Sequence, residues 1–292
     1  MQLESLKVFC DLAESRSFTG AARISGITQS AVSQQISSLE RHFDTLLIER
    51  SKKMFRLTKE GQMLYNHSKE IINSFEALTS RMQSLQNVVS GNIRVSTIYS
   101  IGLHTLPPFL KKFLKKFPTV NVHVEYSHAD KILEDVLGNV VDFGLVAYPG
   151  KNNKLNIIPL MEESLVLVCE PGHPLAKRGQ IRLAEIAGEN LVGFHIDIPT
   201  RRGIDRVLRE KKIAVNPVTE FDNIETVKRA VEIGTGVAIV PEVTVAQEVK
   251  LGSLASVKFS DVQLARPVAV VHKKSTALSP ALENFLSILT GE

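Results

Sequence analysis

Residues 17–40 read SFTGAARISGITQSAVSQQISSLE, which is the pattern of two short helices joined by a tight turn. Ala21 and Ala22 are small enough for two helices to cross closely. Gly26 falls at the turn, where a residue must take a positive φ. Thr28 follows as the N-cap of the second helix. The stretch therefore predicts a helix-turn-helix, whose second helix enters the major groove of double-stranded DNA.

The second helix of this motif has an apolar and a polar face. Apolar residues recur at helical spacing, at Ile27, Val32, Ile36 and Leu39. The other face carries short hydrogen-bonding side chains, which suit base edges and phosphates. We predict that the DNA-contacting residues of this face are Thr28, Gln29, Ser30, Ser33, Gln34 and Ser37. The alternative is an ordinary solvated face, which the Ala-Ala pair, the glycine and the apolar spacing disfavour.

A basic segment follows the helix-turn-helix. Residues 43–57 predict a short β-hairpin with the basic SKK sequence at its tip, as in a winged helix. The segment 50–59 contains five cations and no acid. Such a run is often only a solvated face, but its place directly after a DNA-binding motif favours contact with phosphates. The predicted wing contacts are Arg50, Lys52 and Lys53.

Residues 59–89 predict one long helix with an apolar heptad seam. The spacings along the seam are those of a and d positions, interrupted only at Ser68. The seam residues are Leu64, Ile71, Phe75, Leu78, Met82 and Leu85. The alternative is a helix packed on its own domain. However, about 30 residues at 1.5 Å each reach about 45 Å, which a small domain cannot cover. We therefore predict a helix that pairs with a second copy of the chain.

The rest of the chain predicts an α/β domain. A Ser-Gly-Asn hinge at 90–92 separates it from the DNA-binding domain (1–58) and the linker helix (59–89). Strands are predicted at 93–97, 120–126, 142–147, 164–170, 190–194, 218–221, 237–240 and 267–272. Helices are predicted at 101–117, 130–138, 200–211, 223–233, 242–250 and 279–290. The domain, 93–292, divides into one half of 93–160 with 267–292 and another of 161–266.

Composition excludes several classes of protein. A hydrophobic fraction of 43% and a charged fraction of 23% are typical of a globular protein, and 292 residues exceed one ordinary core. We expect a cytoplasmic protein, because no signal peptide or membrane-spanning run is visible. Cys10 and Cys169 lie far apart in apolar surroundings and predict no disulfide or metal site. The eight histidines are dispersed and no catalytic motif occurs, so neither an enzyme nor a cofactor is expected.

The whole chain resembles the LysR-type transcriptional regulators. The resemblance is carried by LESLKVFCDLAESRSFTGAA at 3–22, ITQSAVSQQISSLE at 27–40 and LLIERSKKMFRLTKEG at 46–61. It implies a winged helix-turn-helix, a coiled-coil linker helix and an effector domain of two Rossmann-like halves, similar to periplasmic binding proteins. It also implies binding to a dyad operator, assembly into a homodimer and a homotetramer, and contact with RNA polymerase.

Polar residues follow several predicted strands of the α/β domain. In open α/β folds ligands bind beyond the carboxyl ends of strands, where free helix N–H groups favour anions. Matched to the family's pattern, the effector-pocket positions are Thr97, Ser100, His128, Phe194, Thr200, Arg201 and Asn223. The alternatives are that Thr200 and Asn223 merely cap helices and that Arg201 forms a surface salt bridge. The helix N–H groups and hydroxyls at these junctions favour a small anionic effector, either a carboxylate or an inorganic oxyanion, and Arg201 is the candidate for its counter-charge.

Two other functions compete with this one. The first is an α/β solute-binding or enzymatic domain with an accessory helical module, which the missing export signal and missing catalytic cluster disfavour. The second is an architectural DNA-binding protein without a ligand, which leaves about 200 residues of the α/β domain without a role.

Overall fold

The computed structural model describes residues 2–49, 55–84, 89–276 and 278–291, without the side chains of 83 and 84. These residues form two compact units. The first comprises 1–91 with the short segments 138–140 and 275–281, and the second comprises the rest of the chain. Among the described residues, no helix combines the length and apolar character needed to span a bilayer.

The first unit is a helical domain with a short hairpin. Its elements are α1 (Leu3–Ser15), α2 (Phe18–Ser25), α3 (Gln29–Phe43), β1 (Ile48–Glu49), β2 (Arg56–Leu57) and α4 (Lys59–Ser84). Gly26 ends α2 with φ of +67°, and the Thr28 hydroxyl caps α3 by accepting from the Ala31 amide at 3.2 Å. The positive φ predicted for Gly26 and the N-cap predicted at Thr28 are both confirmed.

The apolar stripe of α3 packs into the core of this unit. Val32, Ile36 and Leu39 are buried, with Phe9 and Leu12 of α1 in the same cluster. This burial holds the two helices of the motif at a close crossing, where Ala21 is fully buried. The helix-turn-helix predicted from 17–40 is confirmed.

The hairpin predicted at 43–57 begins later in the structure, at Ile48. Among the residues described on either side of 50–54, the strands β1 and β2 pair antiparallel at Ile48 with Leu57 and at Glu49 with Arg56. The chain before them continues α3 to Phe43, so the prediction was wrong in starting the hairpin there. The tip, with Arg50, Lys52 and Lys53, lies outside the described residues.

The linker helix α4 runs for 26 residues, which corresponds to about 39 Å. Its first turn is fixed by Thr58, whose hydroxyl accepts from the Gly61 amide at 2.9 Å. Gly61 lies so close to the hairpin that a Cβ there would be 2.1 Å from the Leu47 carbonyl oxygen. The start of the helix is therefore packed tightly against the backbone that leads into β1.

The second unit alternates strands and helices. Its strands are β3 (Gly91–Thr97), β4 (Val120–Tyr126), β5 (Phe143–Ala147), β6 (Leu155–Cys169), β7 (Gln180–Ile181), β8 (Asn190–Phe194), β9 (Asn216–Phe221), β10 (Ala238–Pro241), β11 (Ala255–Phe259) and β12 (Ala265–Lys273). Its helices are α5 (Leu106–Lys116), α6 (Ala129–Leu137), α7 (Pro199–Glu210), α8 (Ile224–Glu232), α9 (Ala246–Leu251) and α10 (Pro280–Thr290). A π-helical turn, Ile101–Thr105, precedes α5, and a 3-10 turn, Glu242–Val245, precedes α9.

Two long strands connect the halves of this unit. The sheet order is β4-β3-β5-β12-β6, and β12 pairs antiparallel with the first part of β6, from Leu155 to Ser164. The second part of β6 pairs instead with β10 and β11. The chain thus enters the second half along β6 and returns along β12. This arrangement confirms the predicted α/β fold of two halves.

The first part of β6 was missed by the sequence analysis, which predicted a strand only at 164–170. Pro159 lies within this part, and proline is unfavourable inside a strand because it cannot donate to its neighbour. The register shifts between Val268 and Ala269, which pair with Met161 and Pro159 and leave Leu160 without a Cα partner on β12. This bulge accommodates the proline.

Candidate DNA interface and effector cavity

The polar face of α3 is accessible to solvent. Thr28, Gln29, Ser30, Gln34 and Ser37 are exposed, and Ser33 is half-buried. The Thr28 and Ser30 hydroxyls lie 2.9 Å apart, and the Gln29 amide donates to the Ser33 hydroxyl at 3.2 Å. The N-terminal half of the helix therefore presents an ordered cluster of hydrogen-bonding groups.

The linker helix has one face packed on its own unit. Lys69 and Tyr65 both donate to the same carboxylate oxygen of Glu14 in α1, at 2.8 and 3.0 Å. Ser68 and Ile72 are buried on the same side, and Leu64 packs against the N-terminal core. Leu64 and Ser68 therefore pack within their own chain and are not needed for contact with a partner.

A second face of α4 is apolar and exposed. The α4 stripe consists of Ile71, Phe75, Leu78 and Met82, which are between 47% and 60% exposed. Leu85, the next predicted seam residue, lies outside the described residues. Large apolar side chains on one helix face at this exposure are typical of a surface that a partner covers.

A cavity of about 430 Å³ opens between the two halves of the second unit. Its walls combine residues at the ends of strands with the first turns of α6, α7 and α8. The lining residues are Ile98, Tyr99, Ser100, Ser127, His128, Ala129, Asp130, Ala147, Phe194, His195, Asp197, Ile198, Pro199, Thr200, Asp222, Asn223, Ile224 and Arg266. A concave site of this size is typical of small-molecule binding.

The cavity floor consists of Ser100, Thr200 and Arg266, which are all buried. The Arg266 guanidinium donates from Nη2 to the Ser100 hydroxyl at 3.0 Å and from Nη1 to the Thr200 hydroxyl at 3.4 Å. Ser100 belongs to the first half, Thr200 to the second, and Arg266 to the connecting strand β12. The floor therefore joins both halves through one guanidinium.

A buried carboxylate neutralises Arg266. Glu163 on β6 accepts from Nε at 2.7 Å and forms an ion pair with Nη2 at 2.5 Å. The other oxygen of Glu163 accepts from the Thr105 hydroxyl. Burial lowers the pKa of Arg266, and the Glu163 carboxylate opposes that shift. The pair lies on the two strands that connect the halves.

A further contact between side chains crosses between the halves beside the cavity. His104, in the π-helical turn, lies 2.8 Å from a carboxylate oxygen of Glu225 in α8. The same oxygen is 2.9 Å from the Nζ of Lys228, which also contacts Glu248 at 2.8 Å. Burial would raise the pKa of Glu225, but its bonds to Lys228 and His104 outweigh burial and lower that pKa.

Five of the predicted effector residues line the cavity, namely Ser100, His128, Phe194, Thr200 and Asn223. Asn223 also caps α8, because its side chain accepts from the Thr226 amide at 3.1 Å. Thr200 is the second residue of α7 rather than its cap, and its hydroxyl accepts from Arg266.

Thr97 and Arg201 are not among the residues that line the cavity. Thr97 is fully buried, with its hydroxyl directed at the Ile98 carbonyl. Arg201 is bonded to Asp205, Glu220 and the Phe194 carbonyl at 2.7–2.9 Å.

The salt bridges of Arg201 explain its position away from the cavity. Burial would lower the pKa of Arg201, but the two carboxylates outweigh it and raise that pKa. The guanidinium lies against the backbone of Gly193, where a Cβ would approach Nη1 to 2.5 Å. Arg201 therefore forms salt bridges, as in the alternative, but they are buried rather than at the surface, and the guanidinium that lines the cavity is that of Arg266.

Arg266 and Glu163 were missed by the sequence analysis. A signal was present, because Arg266 directly precedes the apolar run PVAVV and Glu163 directly precedes SLVLVC. A charged residue beside a buried strand needs a partner of opposite charge. Pairing these two residues required knowing that β6 and β12 are neighbours.

The fold and the two sites define a class of protein. A winged helix-turn-helix is joined through a long helix to an α/β unit with a ligand-sized cavity, which is the construction of a ligand-responsive DNA-binding regulator. The family description "LysR substrate binding domain" matches residues 86–292, and "Bacterial regulatory helix-turn-helix protein, lysR family" matches residues 3–62. The chain belongs to the LysR family of transcriptional regulators, which are not enzymes.

Curated relatives match the chain over nearly its whole length. The transcriptional activator CmpR of Synechocystis is 29% identical, with 98% of this chain and 94% of that protein covered. The uncharacterised regulator YbhD of Escherichia coli is 28% identical, with 99% and 90% covered.

Solved structures share the fold. A full-length OxyR variant from Pseudomonas aeruginosa matches with a TM-score of 0.79 at 20% identity, covering 100% of this chain and 94% of that one. Full-length CbnR complexed with its target DNA matches at 0.70 and 19% identity, with 99% of both chains covered. The regulatory domain of Synechocystis CcmR in complex with 2-PG matches at 0.63 and 22% identity, covering 69% of this chain and 97% of that one.

Proposed function

We propose that this regulator acts in the cytoplasm and switches transcription when a small anion binds the cavity between the halves of its second unit. The observation that carries the proposal is the cavity floor, where the Arg266 guanidinium bonds to Ser100 of one half and Thr200 of the other. A carboxylate or inorganic oxyanion bound there would contact both halves at once. It would therefore favour the arrangement of the halves that places these groups around it.

The effector residues of the proposal are those that line the cavity. We assign direct contact to Ser100, Thr200 and Arg266, and wall positions to His128, Phe194 and Asn223. A typical coupling free energy of about 1–3 kcal/mol between effector and DNA corresponds to about 5- to 150-fold in affinity. That range is sufficient to switch occupancy of an operator.

We further propose that the DNA-binding form is a homodimer paired through the α4 stripe. The stripe is exposed and apolar, while the opposite face of the helix is held to α1 by Glu14. A two-fold pair of recognition helices matches a dyad operator. Two such dimers would form the homotetramer, and the DNA-bound assembly would contact RNA polymerase.

The DNA contacts are proposed to come from α3 and the wing. Thr28, Gln29, Ser30, Ser33, Gln34 and Ser37 form the polar face of α3. Gln29 is our candidate for base readout, because a side-chain amide at the N-terminal end of a recognition helix can bond an adenine edge in two places. Arg50, Lys52 and Lys53 are proposed as phosphate contacts.

Substitution at Gln29 tests the assignment of base readout. Gln29→Ala should weaken binding to the operator by about 1–3 kcal/mol, with little change on random duplex DNA. Fluorescence anisotropy at a fixed salt concentration measures both affinities, once the operator has been mapped by genomic footprinting. An equal loss on both DNAs would show that Gln29 contacts only the backbone.

Two matched threonine substitutions test the effector cavity. Thr200→Val removes a hydroxyl from the floor, whereas Thr97→Val removes a buried hydroxyl that does not line the cavity. We expect Thr200→Val to abolish the effect of the cognate effector on transcription and Thr97→Val to preserve it. Both variants should retain basal affinity for the operator. Equal responses of the two variants would place the effector elsewhere.

A further inference from the structure

Resting on the proposed effector cavity, we propose that the effector is an organic monocarboxylate with an apolar body. The proposal excludes inorganic oxyanions, phosphorylated acids and dicarboxylates. It follows from the charge at the floor, the charge at the mouth, and the size and chemistry of the walls.

The floor offers a site for one carboxylate. Ser100 and Thr200 both accept hydrogen bonds from Arg266. A hydroxyl that accepts from a guanidinium still has its own hydrogen to donate. Within the described part of the chain, no hydrogen bond is donated by either hydroxyl, so two O–H donors beside one guanidinium are available to a ligand. Two such donors match the two oxygens of a carboxylate.

The charges around the cavity disfavour a second negative group on the ligand. The positive charge of Arg266 is already balanced by Glu163. The acidic residues of the lining, Asp130, Asp197 and Asp222, are exposed and therefore lie at the mouth. A second carboxylate or a phosphate extending from the floor would approach these carboxylates, and like charges at short range repel.

The three aspartates have a structural role of their own. Asp130 lies in the first turn of α6, while Asp197 and Asp222 shortly precede α7 and α8. Acidic residues near helix N-termini are stabilised by the helix dipole. Their presence therefore does not require an ammonium group on the ligand, and a zwitterionic amino acid becomes a separate arm of the test.

The size and the walls of the cavity call for an organic body. A volume of about 430 Å³ lies within the range of about 300–1,000 Å³ that is typical for organic ligands. The apolar wall residues are Ile98, Tyr99, Ala129, Ala147, Phe194, Ile198, Pro199 and Ile224. Tyr99 stacks on Tyr126 with ring centroids 5.3 Å apart, which holds an aromatic face at the cavity. An inorganic oxyanion would leave this apolar surface uncovered.

Matched ligands test the proposal on the full-length protein by isothermal titration calorimetry. The reference probe is 3-phenylpropanoate, which has one carboxylate and an apolar body. Its amide removes the charge, phenylsuccinate adds a carboxylate, and L-phenylalanine adds an ammonium group. Acetate and sulfate remove the body. We expect each of these five to bind at least about tenfold more weakly than 3-phenylpropanoate, as loss of a charge-assisted hydrogen bond predicts for the amide.

Variants connect the binding to the floor. Thr200→Val should weaken 3-phenylpropanoate by about tenfold or more, and the matched buried Thr97→Val should leave its affinity unchanged. The proposal is overturned if sulfate, phenylsuccinate, the amide or L-phenylalanine binds as tightly as 3-phenylpropanoate. It is also overturned if 3-phenylpropanoate shows no binding at millimolar concentration.

Binding to duplex DNA, measured on the same samples, separates this proposal from the one on which it rests. Retained, salt-dependent DNA binding together with tighter binding of another ligand class would refute only the monocarboxylate. Loss of all binding to DNA by the folded protein would instead refute the proposed function.

Discussion

Arg266→Met is expected to be among the most destabilising substitutions in the second unit. The guanidinium is 1% exposed and holds Glu163, which is 7% exposed, through contacts of 2.5 and 2.7 Å. Methionine fills a similar volume but leaves the carboxylate buried, with the Thr105 hydroxyl as its remaining side-chain partner in the described part of the chain. Removing one partner of a buried ion pair costs about 3–5 kcal/mol, because the other charge loses its compensation.

The magnitude can be checked by unfolding. For a unit of this size about 1 kcal/mol corresponds to about 2–4 °C in melting temperature, so a fall of about 6–20 °C is expected. Since the chain contains no tryptophan, urea unfolding is best followed by far-UV circular dichroism. A lower midpoint at an unchanged m-value would indicate loss of stability rather than of compactness.

The double variant Arg266→Met with Glu163→Leu separates charge from packing. Replacing both members of a buried pair by apolar residues is often neutral or stabilising, so the double variant should recover most of the loss. The non-additivity then measures the coupling between the two residues. A single variant that loses less than about 1 kcal/mol, or a double variant as unstable as the sum of both singles, would refute the account of a desolvated pair.

Three further predictions concern the linker helix, pH and the thiols. Leu78→Asp places a charge in the α4 stripe and should dissociate the dimer, as measured by sedimentation velocity. The control, Leu251→Asp, changes an exposed leucine of α9 and should leave the dimer intact. An unchanged oligomer in Leu78→Asp would contradict the stripe's role. Burial lowers the pKa of His272 in the folded protein. Below about pH 6.5 the unfolded chain therefore takes up a proton before the folded one, and the free energy of unfolding decreases as the pH falls. His272→Gln should therefore flatten the fall in melting temperature between about pH 7.5 and 5.5, and an equally steep fall would show that other groups cause it. Burial and the nearby carboxylates of Glu170 and Glu189 raise the pKa of Cys169 to about 11, and Cys10 is also buried. An aromatic disulfide reagent should therefore react with these thiols only after unfolding. Rapid reaction of the native protein would disprove this prediction.

Local structure in the N-terminal unit could be predicted because its determinants are local. Gly26 takes the positive φ that the turn requires, and Thr28 bonds to a backbone amide three residues away. The burial of Val32 and Ile36 follows from helical spacing alone. The turn and the cap are contained within a few residues of chain, and helical spacing identifies the buried face even though its partners, Phe9 and Leu12, lie on α1.

The linker helix shows where periodicity is insufficient. Leu64 and Leu78 share the same heptad pattern, yet Leu64 packs on the N-terminal core while Leu78 is 57% exposed. A heptad pattern identifies an apolar face of a helix but not the surface that covers each part of it. That distinction depends on the position of α1, which shares a buried cluster with Leu64, Tyr65 and Ile72 of α4.

The sequence by itself determined the helix-turn-helix, the alternation of strands and helices, and the strand ends at which Ser100 and Thr200 lie. The tertiary structure alone decided which cation reaches the cavity. Arg201 follows Thr200 directly, but successive side chains of a helix point about 100° apart. The Arg201 guanidinium therefore points away from the cavity and bonds to Glu220. Arg266 lies 66 residues from Thr200 and 103 from Glu163, and meets both only because β12 returns beside β6. Charges so distant along the chain have no local pattern that could pair them, since long-range strand pairing is set by the burial of the whole sheet.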